Sequence, residues 1–207
     1  LNTLIKKSGI NKDQIGLIYS GDLLNQCIGS SFALRNNGIP HLGLYGACST
    51  MAQSFLMAAM TVESGSFDNV IAMTSSHFAS SERQFRFPLG YGGQRTPTSQ
   101  WTVTGSGAAL VSKNGTGPRI TACTVGTVTD LGVKDANNMG AAMAPAAADT
   151  LFRHFCDTGR APKDYDRIFS GDLGQIGSSL LKQLMKEKTF PLEDEKYHDC
   201  GNMIFDP

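Results

Sequence analysis

The run Gly46-Ala47-Cys48-Ser49-Thr50 places a thiol where an apolar stretch gives way to a helix-forming one. A cysteine at a helix start feels the positive end of the macrodipole, which stabilises the thiolate and lowers the thiol's pKa. Backbone amides at the same turn suit an anion, with Ser49 or Thr50 as the cap. The chemistry on offer is nucleophilic attack or anion binding. The same spacing fits a buried structural cysteine equally well, and spacing alone does not separate the two. Downstream, His77 closes the strand after the Cys48 helix and opens a long polar segment. Its imidazole can border a ligand or hold loop backbone. Within that segment, Glu82-Arg83-Gln84-Phe85-Arg86-Phe87 carries two guanidinium forks, each able to grip a carboxylate in bidentate fashion. Two forks suit a dicarboxylate, and Phe85 and Phe87 could wall an aromatic ring. The competing reading is a loop pinned by Arg–Glu pairs, expected to hold for at least one of the arginines. His41, at a strand start, and His154, on a helix, read as packing or surface residues. His198 has too few partners for a metal site, and none is expected.

These residues need elements to hold them. Helical character over 1–7 stops at Gly9, and 15–19 reads as a buried strand. A helix over 23–36, a strand over 41–45, a helix over 49–63 and a strand over 70–74 follow. Such alternation predicts a mainly parallel sheet covered by helices. Residues 77–104 form a Gly-rich excursion, a length that in a compact domain usually serves function. Residues 107–112 and 120–129 read as two strands of a hairpin about Asn114-Gly115. Residues 136–157 read as helix, despite Gly140 and Pro145.

Composition removes several functions. Lys+Arg and Asp+Glu both number 18, so no net field draws nucleic acid, and none is expected as a partner. Five cysteines without a CxxC pair favour a reducing compartment over a disulfide framework. The apolar stretches are too short to span a bilayer. Both ends read as cut, as in an interior piece of a longer protein.

An internal echo bears on architecture. Residues 13–23 end in Ile-Tyr-Ser-Gly-Asp-Leu, and 165–173 end in Ile-Phe-Ser-Gly-Asp-Leu. A helix, a glycine and an acidic loop precede each copy. Chance recurrence of a strand-to-helix turn is the alternative, but the matching context favours a duplicated α/β unit.

The Gly-Ala-Cys-Ser-Thr elbow and the repeat resemble thiolases and ketoacyl synthases. More narrowly, the chain resembles the stage V sporulation protein AD family of spore-forming bacteria. The residues carrying that likeness are Ser20-Gly21-Asp22-Leu23-Leu24-Asn25-Gln26, 45–50, Thr74-Ser75-Ser76-His77, 82–86 and Tyr91-Gly92-Gly93-Gln94. With them go 102–108, 142–150 and His198-Asp199-Cys200-Gly201. The resemblance implies an α/β, thiolase-like layered fold with internally duplicated halves, the second truncated here. The expected division is 1–112 for most of the first half, 113–160 for a connecting hairpin and helix, and 161–207 for the start of the second.

Active condensing enzymes polarise a thioester carbonyl with His or Asn. In synthases one such histidine follows the first strand of the second half. The corresponding stretch here, 169–175, contains none, and an anionic Asp172 would repel an enolate. The resemblance therefore implies a non-catalytic protein in which Cys48 is a vestigial nucleophile, with no cofactor. Its implied ligand is dipicolinic acid (pyridine-2,6-dicarboxylate), taken up into the developing spore. Calcium is a candidate companion of the ligand, and a homodimer a candidate assembly. Other stage V uptake proteins would hold the soluble chain peripherally at the inner spore membrane. The expected ligand-binding set is Cys48, Ser49, His77, Arg83 and Arg86. The alternative is an active ketoacyl synthase or thiolase-like acyltransferase with Cys48 as nucleophile. A purely structural scaffold is a third reading.

Overall fold

Strand β1 (Leu17–Gly21) is buried at all five positions, as befits a strand flanked on both edges and both faces. It pairs in parallel with β2 (His41–Gly43) on one side and β3 (Asn69–Ser76) on the other. Strand β4 (Gly105–Ser112) runs antiparallel along the full length of β3, giving the order β2-β1-β3-β4. The computed structural model describes residues 1–77, 79 and 92–204. The chain divides into two compact units, Leu1–Glu82 with Val103–Ile120 and Arg83–Thr102 with Thr121–Pro207.

In the first unit, alternate side chains of β1 and β3 serve opposite faces of the sheet. Leu17, Tyr19, Val70 and Ala72 pack under Ala58 and Val62 of helix α3 (Thr50–Glu63). Ile18, Ile71 and Met73 meet Leu34 of α2 (Ile28–Leu34), together with Leu4 and Ile5 of α1 (Asn2–Ser8). The result is three layers, helix, sheet and helix. The helix expected over 23–36 is shorter, because Gln26 (φ 62°) and Cys27 (φ 53°) adopt left-handed backbone and break its start.

The second unit holds α4 (Met139–Thr158), β5 (Ile168–Ser170), α5 (Gly174–Glu187) and β6 (Tyr197–Asp199), with β5 and β6 parallel. Its core joins Ala144, Ala148 and Phe155 of α4 to Leu181 and Met185 of α5. The hairpin expected between 107–112 and 120–129 is not formed. Strand β4 takes β3 as its antiparallel partner, and among the described residues 120–129 carries no strand. Side-chain bonds seat that segment along α4 instead, Thr124 Oγ1 to His154 Nδ1 at 2.8 Å and Thr127 Oγ1 to Asp149 Oδ2 at 3.0 Å. Val125 and Val128 remain exposed. The strand pattern is present in the sequence, but no sheet edge meets it.

The echo in the sequence is an echo in structure. Helices α1 and α4 each end on a left-handed glycine, Gly9 (φ 68°) and Gly159 (φ 66°), a conformation glycine reaches without a Cβ clash. Each is followed by a reciprocal turn: Gln14 Oε1 accepts from Asn11 N, and Asp164 Oδ2 accepts from Ala161 N. Strand registers then correspond, Ile18 opposite His41 and Ile168 opposite Tyr197. Ser20 Oγ bonds His41 Nε2 at 2.7 Å, and Ser170 Oγ bonds the Tyr197 hydroxyl at 2.7 Å. Matching of this kind down to single side-chain bonds supports duplication over chance. The copies differ in cover. Tyr19 lies buried beneath α3, whereas its counterpart Phe169 is 57% exposed.

Candidate functional site

The chain leaves β2 through Leu44-Tyr45-Gly46 and turns at once into a 3-10 turn, Ala47–Ser49, that runs into α3. The turn forms because Gly21 has no side chain. A Cβ there would strike the Leu44 carbonyl oxygen and come within 2.7 Å of Thr50 Cγ2. Ser49 Oγ donates to Gly46 O at 2.7 Å, and Gly46 N donates to Thr50 Oγ1 at 3.2 Å. Ala47 holds φ 47°, left-handed backbone that costs an L-residue roughly 1–2 kcal/mol. The expected elbow is therefore present, strained at the residue before the cysteine, with Cys48 and Ser49 exposed at the start of α3.

His77 directly follows β3 and is exposed. Its Nδ1 accepts from Ala79 N at 3.1 Å, which puts the proton of the neutral ring on Nε2. The ring thus braces loop backbone, one of the two roles its position allows. It also borders a cavity of about 570 Å³ at the carboxyl ends of β1 and β3. Asp22, Leu24, Ser75, Ser106 and Thr104 share that wall. Open parallel sheets bind ligands outside their strands' carboxyl ends, where helices diverge and polar groups converge. Among the described residues, Cys48 and Ser49 are not part of that cavity's lining. Arg83 and Arg86, the other expected ligand contacts, lie outside the described residues.

Asp22 is the site residue that motif reading passed over. It is 5% exposed and accepts three bonds, from Leu24 N at 2.8 Å, Ser30 N at 2.6 Å and Ser30 Oγ at 2.8 Å. The helix α2 has no capping side chain of its own, so Asp22 supplies the acceptor its first turn lacks. The Ser-Gly-Asp-Leu repeat marked the position; only tertiary contacts reveal the cavity wall.

Asp172, its counterpart in the second unit, is not presented to solvent as a bare anion. It accepts from Trp101 N through both oxygens, at 2.8 and 2.9 Å, and from Thr102 Oγ1 at 2.9 Å. Burial pushes its carboxyl above the ordinary aspartate value, the nearby Asp199 adding to the rise while the Trp101 and Thr102 bonds and Arg95 pull it down. Among the described residues, no group of three His, Cys, Asp or Glu side chains gathers as metal ligands would.

The profile of the family described as Stage V sporulation protein AD (SpoVAD) matches residues 1–207. Stage V sporulation protein AD of Bacillus subtilis (strain 168) is 45% identical over all 207 residues, and the chain spans 61% of that relative's length. Among solved structures, cerulenin-bound OleA from Xanthomonas campestris superposes with a TM-score of 0.69 at 14% identity, covering 95% of this chain and 63% of that one. The tetronic acid condensing enzyme AbyA1 gives 0.66 at 14% identity, with 96% and 67% coverage. The 3-oxoacyl-[acyl-carrier-protein] synthase III of Aquifex aeolicus VF5 gives 0.63 at 14% identity, with 94% and 64% coverage. At such identities the likeness shows the fold, which is that of the thiolase-like condensing enzymes. The full-length profile match and the 45% identity together place this chain in the stage V sporulation protein AD family.

Proposed function

We propose that the complete protein binds dipicolinic acid without chemically transforming it and supports its uptake into the developing spore. Membership of a sporulation family supports the setting. The observation that carries the reading is the cavity beside His77. At about 570 Å³ it has room for a single-ring acid, and the Ser75, Thr104 and Ser106 hydroxyls in its wall suit a carboxylate. The Asp22 carboxylate beside them is engaged by Leu24 N and Ser30. The proposed binding set is His77 in that wall, Cys48 and Ser49 at the elbow, and Arg83 and Arg86 further along the sequence. Calcium accompanies the ligand in this reading. The chain associates as a homodimer, for which the exposed Leu42 on edge strand β2 supplies an apolar contact. In this reading other stage V uptake proteins hold the protein at the inner spore membrane; among the described residues no helix is long and apolar enough to cross a membrane.

Calorimetry on the complete protein tests the ligand, comparing dipicolinate with pyridine-2-carboxylate, which lacks one charge. Losing a buried charge-assisted bond costs roughly 1.5–3 kcal/mol, about one to two decades of affinity. At least one of Arg83→Ala, Arg86→Ala and His77→Ala is expected to weaken dipicolinate far more than the mono-acid. Three variants that bind dipicolinate like the parent would remove this binding set.

One observation favours a second reading, acyl transfer through Cys48. Strained non-glycine backbone clusters at functional sites, and Ala47 is strained beside the exposed thiol. Against it, 169–175 contains no histidine, and the Asp172 carboxylate is engaged with Trp101 and Thr102.

A further inference from the structure

One face of the β3–β4 ladder changes character at its end. The antiparallel register sets Ile71 opposite Leu110, Met73 opposite Ala108 and Ser75 opposite Ser106. Alternate positions of a strand share one face of the sheet, and directly opposite residues share it too. On that face Ile71, Met73, Ala108 and Leu110 belong to the core beneath α1 and α2. Ser75 and Ser106 continue the same row past the core, and both line the cavity beside His77. Leu23 and Leu24 line it as well, as apolar flanks to a polar row.

Other hydroxyls of these two strands are committed to the fold. Ser76 Oγ donates to Val103 O at 2.8 Å, Thr74 Oγ1 to Gly21 O at 3.1 Å and Ser112 Oγ to Asn69 Oδ1 at 2.7 Å. The Ser75 and Ser106 hydroxyls take no hydrogen-bond partner among the described residues. Asp22, in the same wall, is engaged by Leu24 N, Ser30 N and Ser30 Oγ and takes neither of them. Directly opposite residues of an antiparallel pair hold their Cβ atoms about 5 Å apart. From that spacing two hydroxyls can converge on the two oxygens of one carboxylate, each as a donor.

We propose that Ser75 and Ser106 form a carboxylate clamp, gripping one carboxylate of the ligand between the two strands while Leu23 and Leu24 flank its ring. The assignment rests on the reading of this cavity as a dipicolinate site, and it divides the work within that site. The serines hold the carboxylate that dipicolinate shares with pyridine-2-carboxylate. The second carboxylate falls to His77 and the arginines. Because β4 is paired with β3 along its full length, the two hydroxyls are carried on ordered backbone, which lowers the cost of holding them in place for a ligand. Their donors serve no bond within the chain, so removing them takes affinity and leaves the fold intact.

Calorimetry on the complete protein reads the clamp, with dipicolinate and pyridine-2-carboxylate as probes. The double variant Ser75→Ala/Ser106→Ala is expected to weaken both acids to a similar degree, by about tenfold or more. Its thermal midpoint without ligand should match the parent's. Ser106→Thr keeps the hydroxyl on a strand-favouring residue and should retain more affinity than Ser106→Ala. A double variant that binds both acids as the parent does overturns the clamp and leaves the dipicolinate reading standing. Loss confined to dipicolinate overturns it too, since the shared carboxylate would then lie elsewhere. A parent that binds neither acid removes the dipicolinate reading, and the clamp is then decided by the backbone amide resonances of Ser75 and Ser106 in an acetate titration. Saturable shifts at both, without equal shifts in chloride at the same ionic strength, uphold the clamp, and their absence overturns it.

Discussion

Asp22 and Asp172 stand at equivalent places in the two copies of Ser-Gly-Asp-Leu, yet they do different work. Asp22 satisfies the first turn of the helix that follows it, through Ser30, and fronts a cavity. Asp172 reaches instead to a strap 70 residues earlier in the chain. Which donors each carboxylate meets depends on what folds against the turn, and the repeated tetrapeptide does not encode that. Removing the Asp22 carboxylate leaves Leu24 N and the buried Ser30 N and hydroxyl without their acceptor. Asp22→Ala is accordingly expected to lower stability by roughly 3 kcal/mol, read as a lower urea midpoint at unchanged slope. A loss below about 0.5 kcal/mol would show that water replaces the carboxylate and that the site is only superficially buried.

At the level of elements, the handover from β2 to α3 was legible because small residues between an apolar run and a helical one have few other uses. No hairpin forms about Asn114-Gly115, because 120–129 has a strand's composition but is stitched to α4 by Thr124 and Thr127. Intrinsic preference makes a strand only where an edge is offered. Helix packing in the second unit depends on a glycine pair that no periodicity reveals. A Cβ on Gly177 would lie 2.7 Å from Gly140 Cα, a backbone atom that cannot swing aside. Gly-to-Ala in an exposed helix gains about 1 kcal/mol, but overpacking costs about 1–3. Gly177→Ala should therefore lower the thermal midpoint, whereas Ser179→Ala on the exposed face of α5 should leave it unchanged or raise it slightly. A stabilising Gly177→Ala would mean that the crossing is loose.

For the whole molecule, the fold is that of condensing enzymes while the family is one of sporulation proteins, and only chemistry separates the two. Carbon–carbon bond formation needs a donor that polarises the thioester carbonyl and steadies the enolate. With no histidine in 169–175, the complete protein is expected to load acyl groups slowly or not at all and to form no condensation product. Incubation with acyl-coenzyme A or acyl-carrier substrates, followed by mass spectrometry of Cys48 and product analysis, measures both. Turnover that disappears in Cys48→Ala would establish the enzyme reading and end the non-catalytic one.

The sequence by itself determined the alternation of strands and helices, the left-handed glycine stops at 9 and 159, the duplication and the elbow at Cys48. Each is written in neighbouring residues, through apolar period, small-residue turns or local backbone preference. Tertiary structure alone decided that β4 turns back on β3, that His77 borders a cavity with Asp22, and that Asp172 clasps Trp101 and Thr102. Those outcomes join residues about 30 to 70 positions apart in the chain. A carboxylate's partners, and with them its affinity for a proton, are set by whatever packs around it, and that is fixed only once the chain has folded.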